Sequence, residues 1–188
     1  MEHLHFKRSF FYSFIFLFFF NSSLAEEIDE IVVEANWREA KVVEEDSSVI
    51  ILNKELLKNE PIKNFESLSY LIPNLNFSAS DSRARYFQTR GIGERSGYQG
   101  TPNSSVGFLI DDIDYSGQGG IATTFDVDQI EIHRGPQGSR IGANALSGLI
   151  YIKTKDPTDE FEAAGEIILG SYGKRSTGFA VGGPLNEN

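Results

Sequence analysis

The chain has 188 residues, enough for one modest domain and a tail, and its 17 basic and 27 acidic residues give a formal charge of −10. This acidic balance argues against nucleic acid as a partner. The sequence contains no cysteine, which excludes disulfide bonds and thiolate metal sites.

The N-terminus has the pattern of a secretory signal peptide over residues 1–25. Lys7 and Arg8 form a basic start, a Phe-rich run over 9–20 forms the apolar core, and small residues precede a cleavage point after Ala25. The alternative is a membrane anchor, but a spanning helix needs about 20 apolar residues, more than this run supplies. Cleavage would leave 15 basic and 26 acidic residues, a formal charge of −11.

Catalytic and metal-binding patterns are weak. The predicted mature chain keeps one histidine, His133, which disfavours a histidine-rich metal site or a Ser-His-Asp triad. The run 112–117 imitates the start of a calcium loop, but Thr123 stands where a bidentate glutamate is required. We therefore predict a protein that is not an enzyme and that binds no cofactor and no metal.

A short acidic and apolar segment follows the cleavage point. Glu26–Ala35, EEIDEIVVEA, sets β-forming residues among carboxylates and leads into a polar linker over 36–46. One interpretation is a plain first strand of the domain. The other is a peptide that a partner protein holds by strand addition, in which main-chain hydrogen bonds supply the affinity.

The next segments predict short mixed elements. They are a buried strand over 48–52, a helix over 54–58 that Asn53 caps, a second helix from the cap Asn64 to Pro73, a strand over 84–93, a loop over 96–105, and a strand with a turn over 106–115.

The most informative run is Val127–Lys155, VDQIEIHRGPQGSRIGANALSGLIYIKTK. Two apolar strands flank a glycine-rich turn, as expected where backbone packs closely on backbone. A phosphate-binding loop would require a lysine after its second glycine, and none is present. An ordinary hairpin remains open from this run alone. Together with ESLSYLIPNLNF and the Arg90-Gly91 pair, however, the run resembles the plug domain of TonB-dependent outer-membrane transporters.

The resemblance implies an α+β fold: a small mixed-sheet plug domain with short helices, followed by the first hairpin of a transmembrane β-barrel. The predicted organisation is a signal peptide over 1–25, a TonB box with linker over 26–46, a plug domain over 47–157 and an incomplete barrel over 158–188. The last part rests on β runs over 161–169 and 177–181 that flank a turn. A closed barrel needs at least about eight strands, so we expect the gene to continue past Asn188.

The resemblance also implies sites. The peptide gripped by the periplasmic TonB protein would consist of Glu27, Ile28, Asp29, Glu30, Ile31, Val32 and Val33. Two arginines before glycines, Arg90 and Arg134, match a pair that binds glutamates of the barrel wall in the family. The alternative for each arginine is a surface position with a local partner such as Asp128 or Glu131.

Two loops, over 81–85 and 96–105, would face the cell exterior and meet the substrate. Their candidate contact residues are Arg83, Arg85, Tyr86, Arg95, Tyr98 and Gln99. The implied function is active import through the Gram-negative outer membrane, with the plug inside the barrel lumen and lipid around the barrel. The default substrate is a ferric siderophore, and cobalamin, haem and oligosaccharides are the other classes. A soluble periplasmic plug-like module that binds a ligand or a protein is the alternative.

Overall fold

A computed structural model describes residues 32–33, 40–41, 48–59, 64–81, 83–98, 100 and 102–184. All of them belong to one unit spanning Ile31–Asn188. The predicted signal peptide and five of the seven predicted TonB-box residues lie outside the described residues. No helix in the described part of the chain is both long and apolar enough to cross a bilayer.

The described strands are short until the end of the chain. In chain order they are β1 Val32–Val33, β2 Ala40–Lys41, β3 Ser48–Asn53, β4 Leu75–Ala79, β5 Ala84–Thr89, β6 Ile92–Gly93, β7 Val106–Ile110, β8 Ile113–Asp114, β9 Val127–Arg134, β10 Gly148–Thr154, β11 Glu162–Leu169 and β12 Arg175–Gly182.

Helices of four to six residues connect these strands. They are α1 Lys54–Asn59, α2 Leu68–Leu71 and α3 Gly138–Ile141, with 3-10 turns at Phe65–Ser67, Gly119–Ile121 and Ser171–Gly173. Asn53 begins α1 as predicted, because its Oδ1 accepts a hydrogen bond from the backbone N of Leu56 at 3.1 Å. Asn64 was predicted to cap the second helix, but its side chain forms no capping hydrogen bond.

The strands form a mixed five-stranded sheet in the order β3-β9-β10-β7-β8 and an antiparallel three-stranded sheet in the order β4-β5-β6. Strands β9 and β10 pair antiparallel, whereas β10 and β7 run parallel. Two further pairs, β1-β2 and β11-β12, are two-stranded. The sequence predicts a buried strand over 48–52, but β3 is an edge strand in which only Leu52 is buried.

The main core fills the space between one face of the five-stranded sheet, the short helices and the three-stranded sheet. Ile130, Ile132 and Ile150 supply fully buried side chains from the sheet. The ring of Phe108 lies edge-on to Phe65 at 5.3 Å and stacks on Phe87 at 5.7 Å between centroids. Such aromatic pairs add about 0.5–1.5 kcal/mol beyond the buried area, so Phe108 joins the layers of the domain.

The turn between β7 and β8 is a two-residue connection. Asp111 and Asp112 have φ of 46° and 69°, the left-handed values that a type I′ turn requires. Asp can occupy this region, and Asp111 gains two hydrogen bonds there. Its carboxylate accepts from the N and Oγ1 of Thr154 at 2.9 and 2.7 Å. The turn is thereby fixed without the glycine that usually makes it.

Candidate functional site

The carbonyl oxygen of Ser147 links Gly135 of one Arg-Gly pair to Thr89, the residue that precedes the other pair. We call this group the Arg-Gly junction. Arg90-Gly91 is the turn between β5 and β6, and Arg134-Gly135 ends β9. The carbonyl of Ser147 accepts from Thr89 Oγ1 at 2.8 Å and from the N of Gly135 at 3.1 Å. The junction therefore ties the three-stranded sheet to the five-stranded sheet.

Gly148 makes this close approach possible. It lies opposite Arg134 in the β9-β10 ladder. A Cβ at this position would stand 2.8 Å from the carbonyl oxygen of His133 and 2.9 Å from Thr89 Oγ1. Both contacts are too short for a real side chain, so only glycine lets the two sheets meet here.

The two arginines of the junction differ in their surroundings. Arg90 is exposed, has a φ of 52° and donates from its backbone N to the carbonyl of Asn74 at 3.0 Å, but its guanidinium has no hydrogen-bond or ion-pair partner among the described residues. Arg134 is half-buried and donates from Nη2 to Ser48 Oγ at 2.7 Å. Its Nε is buried and lacks a hydrogen-bond partner among the described residues. A left-handed non-glycine residue costs about 1–3 kcal/mol and often marks a functional position.

The local carboxylates considered as alternatives have other neighbours. Asp128 lies 3.8 Å from Lys54 Nζ. Glu131 is fully buried beside His133, with 2.9 Å between Oε2 and Nε2. Because side chains alternate along a strand, Glu131 also points to the face of β9 opposite Arg134.

Of the predicted TonB box, Val32 and Val33 are described and form β1. They pair antiparallel with Lys41 and Ala40. The side chain of Val33 is fully buried, and the carbonyl of Val32 accepts a 2.9 Å hydrogen bond from Gln129 Nε2. The strand is thus not a member of the five-stranded sheet. Glu27 to Ile31 lie outside the described residues.

The predicted substrate loops are held by their own arginines. Arg83 donates from Nε to Glu66 Oε1 at 3.2 Å and from Nη2 to the carbonyl of Ala122 at 3.0 Å. Arg85 donates from Nη1 to the carbonyl of Gly97 at 2.6 Å. Both guanidinium groups therefore order loop backbone in this structure.

The other loop candidates are placed unequally. Tyr86 was predicted as a candidate substrate contact, but its side chain is only 4% exposed, because it points inward from β5. Arg95 is exposed, and Tyr98 is 80% exposed with its hydroxyl donating to the carbonyl of Ser80 at 2.7 Å. Gln99 lies outside the described residues.

Sequence reasoning missed a buried carboxylate beneath these loops. Glu94 is 7% exposed, and its Oε1 accepts from the N and Oγ of Ser105, both at 2.9 Å. Its Oε2 has no partner among the described residues. Ser147 Oγ in turn donates to the carbonyl of Ser105 at 3.0 Å, so Glu94 is connected to the Arg-Gly junction. No local pattern marks Glu94, because its partner Ser105 follows eleven residues later.

The described residues contain no group of three or more His, Asp or Glu side chains that could hold a metal ion. The calcium-like run 112–117 is used internally instead. Asp114 accepts from the N of Ser116 at 2.8 Å and from Asn144 Nδ2 at 2.7 Å. These contacts order the loop and join it to the turn after α3.

Comparison with known proteins gives the same architecture. The family described as the TonB-dependent receptor plug domain matches residues 41–149. The ferripyoverdine receptor of Pseudomonas aeruginosa is 24% identical over 142 residues, which make up 75% of this chain and 17% of that protein. The ferric enterobactin receptor PirA of the same organism is 25% identical over 177 residues, 85% of this chain and 24% of that protein. The chain thus spans about a fifth of the length of these relatives.

Solved structures agree with the fold. The ferripyoverdine receptor of the outer membrane of Pseudomonas aeruginosa, bound to ferripyoverdine, superposes with a TM-score of 0.67 at 21% identity, over 84% of this chain and 20% of that one. The alcaligin outer-membrane receptor FauA from Bordetella pertussis gives 0.65 at 18% identity, over 82% and 26%. With the family match covering more than half of its length, the chain belongs to the TonB-dependent receptor plug domain family.

Proposed function

We propose that this chain is the gate of a TonB-dependent importer in a Gram-negative outer membrane, and that its substrate is a ferric siderophore. The observation that carries the proposal is the Arg-Gly junction. It brings Thr89 and Gly135, the chain neighbours of Arg90 and Arg134, to one carbonyl; the exposed Arg90 guanidinium has no described partner, and Arg134 Nε is buried without a described hydrogen-bond acceptor. The buried Nε of Arg134 requires an acceptor, and the exposed guanidinium of Arg90 is free to bind one. Carboxylates from outside the described residues would serve both arginines.

Planar carboxylates on a surrounding barrel wall would satisfy both arginines. A bidentate pair fixes orientation as well as distance, and removing one partner of a buried pair costs about 3–5 kcal/mol. The strain at Arg90 is then explained, because the turn holds its guanidinium at the surface of the plug. Two such pairs would keep the plug seated until an external force breaks them.

The hairpin β11-β12 supports a membrane location. Its pairing places Ile167, Leu169, Phe179 and Val181 on one face, and all four are more than half exposed. The opposite face carries Glu162, Glu166 and mostly small residues, with Ile168 as its one large apolar side chain. An apolar face with a polar opposite face is the pattern of a transmembrane barrel strand pair, with lipid outside and lumen inside. A soluble module would leave this apolar face in water.

The remaining parts follow from this arrangement. The segment over 27–33 would be pulled by TonB, a periplasmic energy-transducing protein, through strand addition. The loops with Arg95 and Tyr98 would meet the substrate at the opposite, outer end. The substrate class comes from the relatives, which are named as receptors for ferripyoverdine and ferric enterobactin. No bond of the substrate changes, so no catalytic group is required.

The test is the double substitution Arg90→Ala and Arg134→Ala in the protein carrying whatever sequence follows Asn188 in its gene. We expect cells producing it to admit vancomycin, normally excluded by the outer membrane, because an unseated plug leaves the pore open. The matched control is Arg175→Ala, an exposed arginine at the start of β12. Unchanged vancomycin sensitivity, or recovery of the protein in the soluble periplasmic fraction, would contradict the proposal.

A further inference from the structure

We propose that Gln129 clamps the N-terminal strand β1 onto the plug, and that the buried pair Glu131 and His133 aims this clamp. The clamp is a positioning device built into β9. Its assignment rests on the geometry of the described residues. Its consequence for energy coupling rests on the proposed function.

The amide of Gln129 is saturated with acceptors. Its Nε2 lies 2.9 Å from the carbonyl oxygen of Val32 and 2.7 Å from Glu131 Oε1. A glutamine amide nitrogen has two N–H donors, and both contacts are to oxygens that accept. The orientation of the amide is therefore fixed by its partners, because a flipped amide would place oxygen against oxygen at both contacts.

The carboxylate that aims the amide cannot move freely. Glu131 and His133 are both 0% exposed, and Glu131 Oε2 lies 2.9 Å from His133 Nε2. Burying a carboxylate costs free energy unless its oxygens accept hydrogen bonds. Loss of the donor to either oxygen of Glu131 is therefore unfavourable. Gln129 supplies the donor for one oxygen and His133 supplies it for the other. Gln129, Glu131 and His133 lie along one face of β9, and their hydrogen bonds hold the Gln129 amide toward β1.

The strand that is held has little stability of its own. Strands β1 and β2 form a two-stranded sheet with two residue pairs in the described part of the chain. An isolated sheet needs about three strands to be stable in water. Gln129 donates to a main-chain oxygen, so the hydrogen bond does not depend on which side chain occupies position 32. Two contacts with the plug therefore fix this strand: burial of the Val33 side chain and the hydrogen bond from Gln129 to the Val32 carbonyl.

The clamp competes with any partner that binds this strand by augmentation. Strand addition uses main-chain carbonyl and N–H groups. A partner strand that takes the Val32 carbonyl must displace Gln129. The partner of matching chemistry is a protein that offers a free β edge on the periplasmic side, which is the role that the proposed function gives to TonB.

The test uses a reporter cysteine, since residues 1–188 contain none, and any cysteine that the gene encodes after Asn188 is replaced by serine. Val32→Cys keeps the carbonyl that Gln129 binds. In outer membranes containing the protein as encoded by its gene, Gln129→Met should raise the maleimide labelling rate of this cysteine by about five- to tenfold, as expected for the loss of one hydrogen bond. Gln129→Glu, which has no N–H donors, should give the same increase. Unchanged labelling in both variants would overturn the clamp.

Two controls separate the clamp from general unfolding and from the transport proposal. Gln118→Met alters an exposed glutamine and should leave labelling unchanged. A reporter at exposed Ser176 should label equally in all backgrounds, and a rise there with Gln129→Met would assign the effect to unfolding and overturn the clamp. Capture by the purified C-terminal domain of TonB is measured in parallel. Increased labelling without increased capture upholds the clamp and counts against the transport proposal instead.

Discussion

The plug body buries its large apolar side chains, whereas the terminal hairpin exposes them. In the body, Phe108 and Leu149 are at most 2% exposed. In the hairpin, Phe179 and Ile167 are 75% and 76% exposed. Both regions have long antiparallel strand pairs, with one register shift near the end of the β9-β10 pair. Regular secondary structure therefore does not make a region self-sufficient. The body encloses its own apolar surface, and the hairpin leaves its apolar surface exposed.

The connection between the two regions is small and specific. Lys155 forms an ion pair with Glu162 at the start of β11. Gly178 in β12 faces the ring of Phe125, and a Cβ at Gly178 would stand 2.8 Å from that ring. Among the described residues, a glycine notch at Gly178 and the Lys155–Glu162 ion pair join the hairpin to the body, and neither covers its apolar face.

The largest expected difference comes from truncating one phenylalanine in each region. Phe108→Ala should lower the free energy of unfolding by about 3–5 kcal/mol, because it opens a cavity between Phe65 and Phe87. Phe179→Ala should change it by less than about 0.5 kcal/mol in water, since that ring is exposed. Urea denaturation of the chain, followed by far-UV circular dichroism, measures both values. Equal losses for the two variants would mean that the hairpin is covered in solution.

The local signals predicted much of the body. Strands β9 and β10 were predicted from apolar residues on either side of the glycine-rich run, and β11 and β12 from the runs around the turn at 170–174. The parallel pairing of β10 with β7 was not predicted. Nothing within a strand encodes which distant strand will lie beside it, because the choice depends on the closed packing of the whole domain.

A second prediction concerns the proposed lipid-facing side of the hairpin. Phe179→Lys should destabilise the membrane-inserted protein by about 2–4 kcal/mol, the cost of a lysine on the lipid face near the bilayer midplane. Ser176→Lys is the matched control, because Ser176 shares a face with Glu162 and Glu166. Urea-dependent folding into phospholipid vesicles compares the two. Equal effects of the two lysines would argue that the hairpin does not present Phe179 to lipid.

Residues of the candidate site could be predicted only where the signal lies in neighbouring residues of the sequence. Arg90 and Arg134 each precede a glycine at the end of a β run and were selected because they match the arginine pair of the resembling family; in the structure their neighbours Thr89 and Gly135 share one carbonyl. Gln129 could not be selected, because its acceptor Val32 lies 97 residues earlier in the chain. Tyr86 was correctly placed on a strand but named as a substrate contact, and only the packing shows that its face of β5 is buried.

The smallest expected effect tests the notch that joins the two regions. Gly178→Val should cost about 1–3 kcal/mol, because the new side chain would overlap the ring of Phe125 and force it aside. Gly165→Val is the matched control on the neighbouring strand, since the nearest heavy atom to a Cβ there is 4.0 Å away. Urea denaturation of the chain measures both. A loss of stability at Gly178 alone would establish that packing of Phe125 against Gly178 holds the hairpin on the body, whereas equal changes would show that this contact contributes nothing specific.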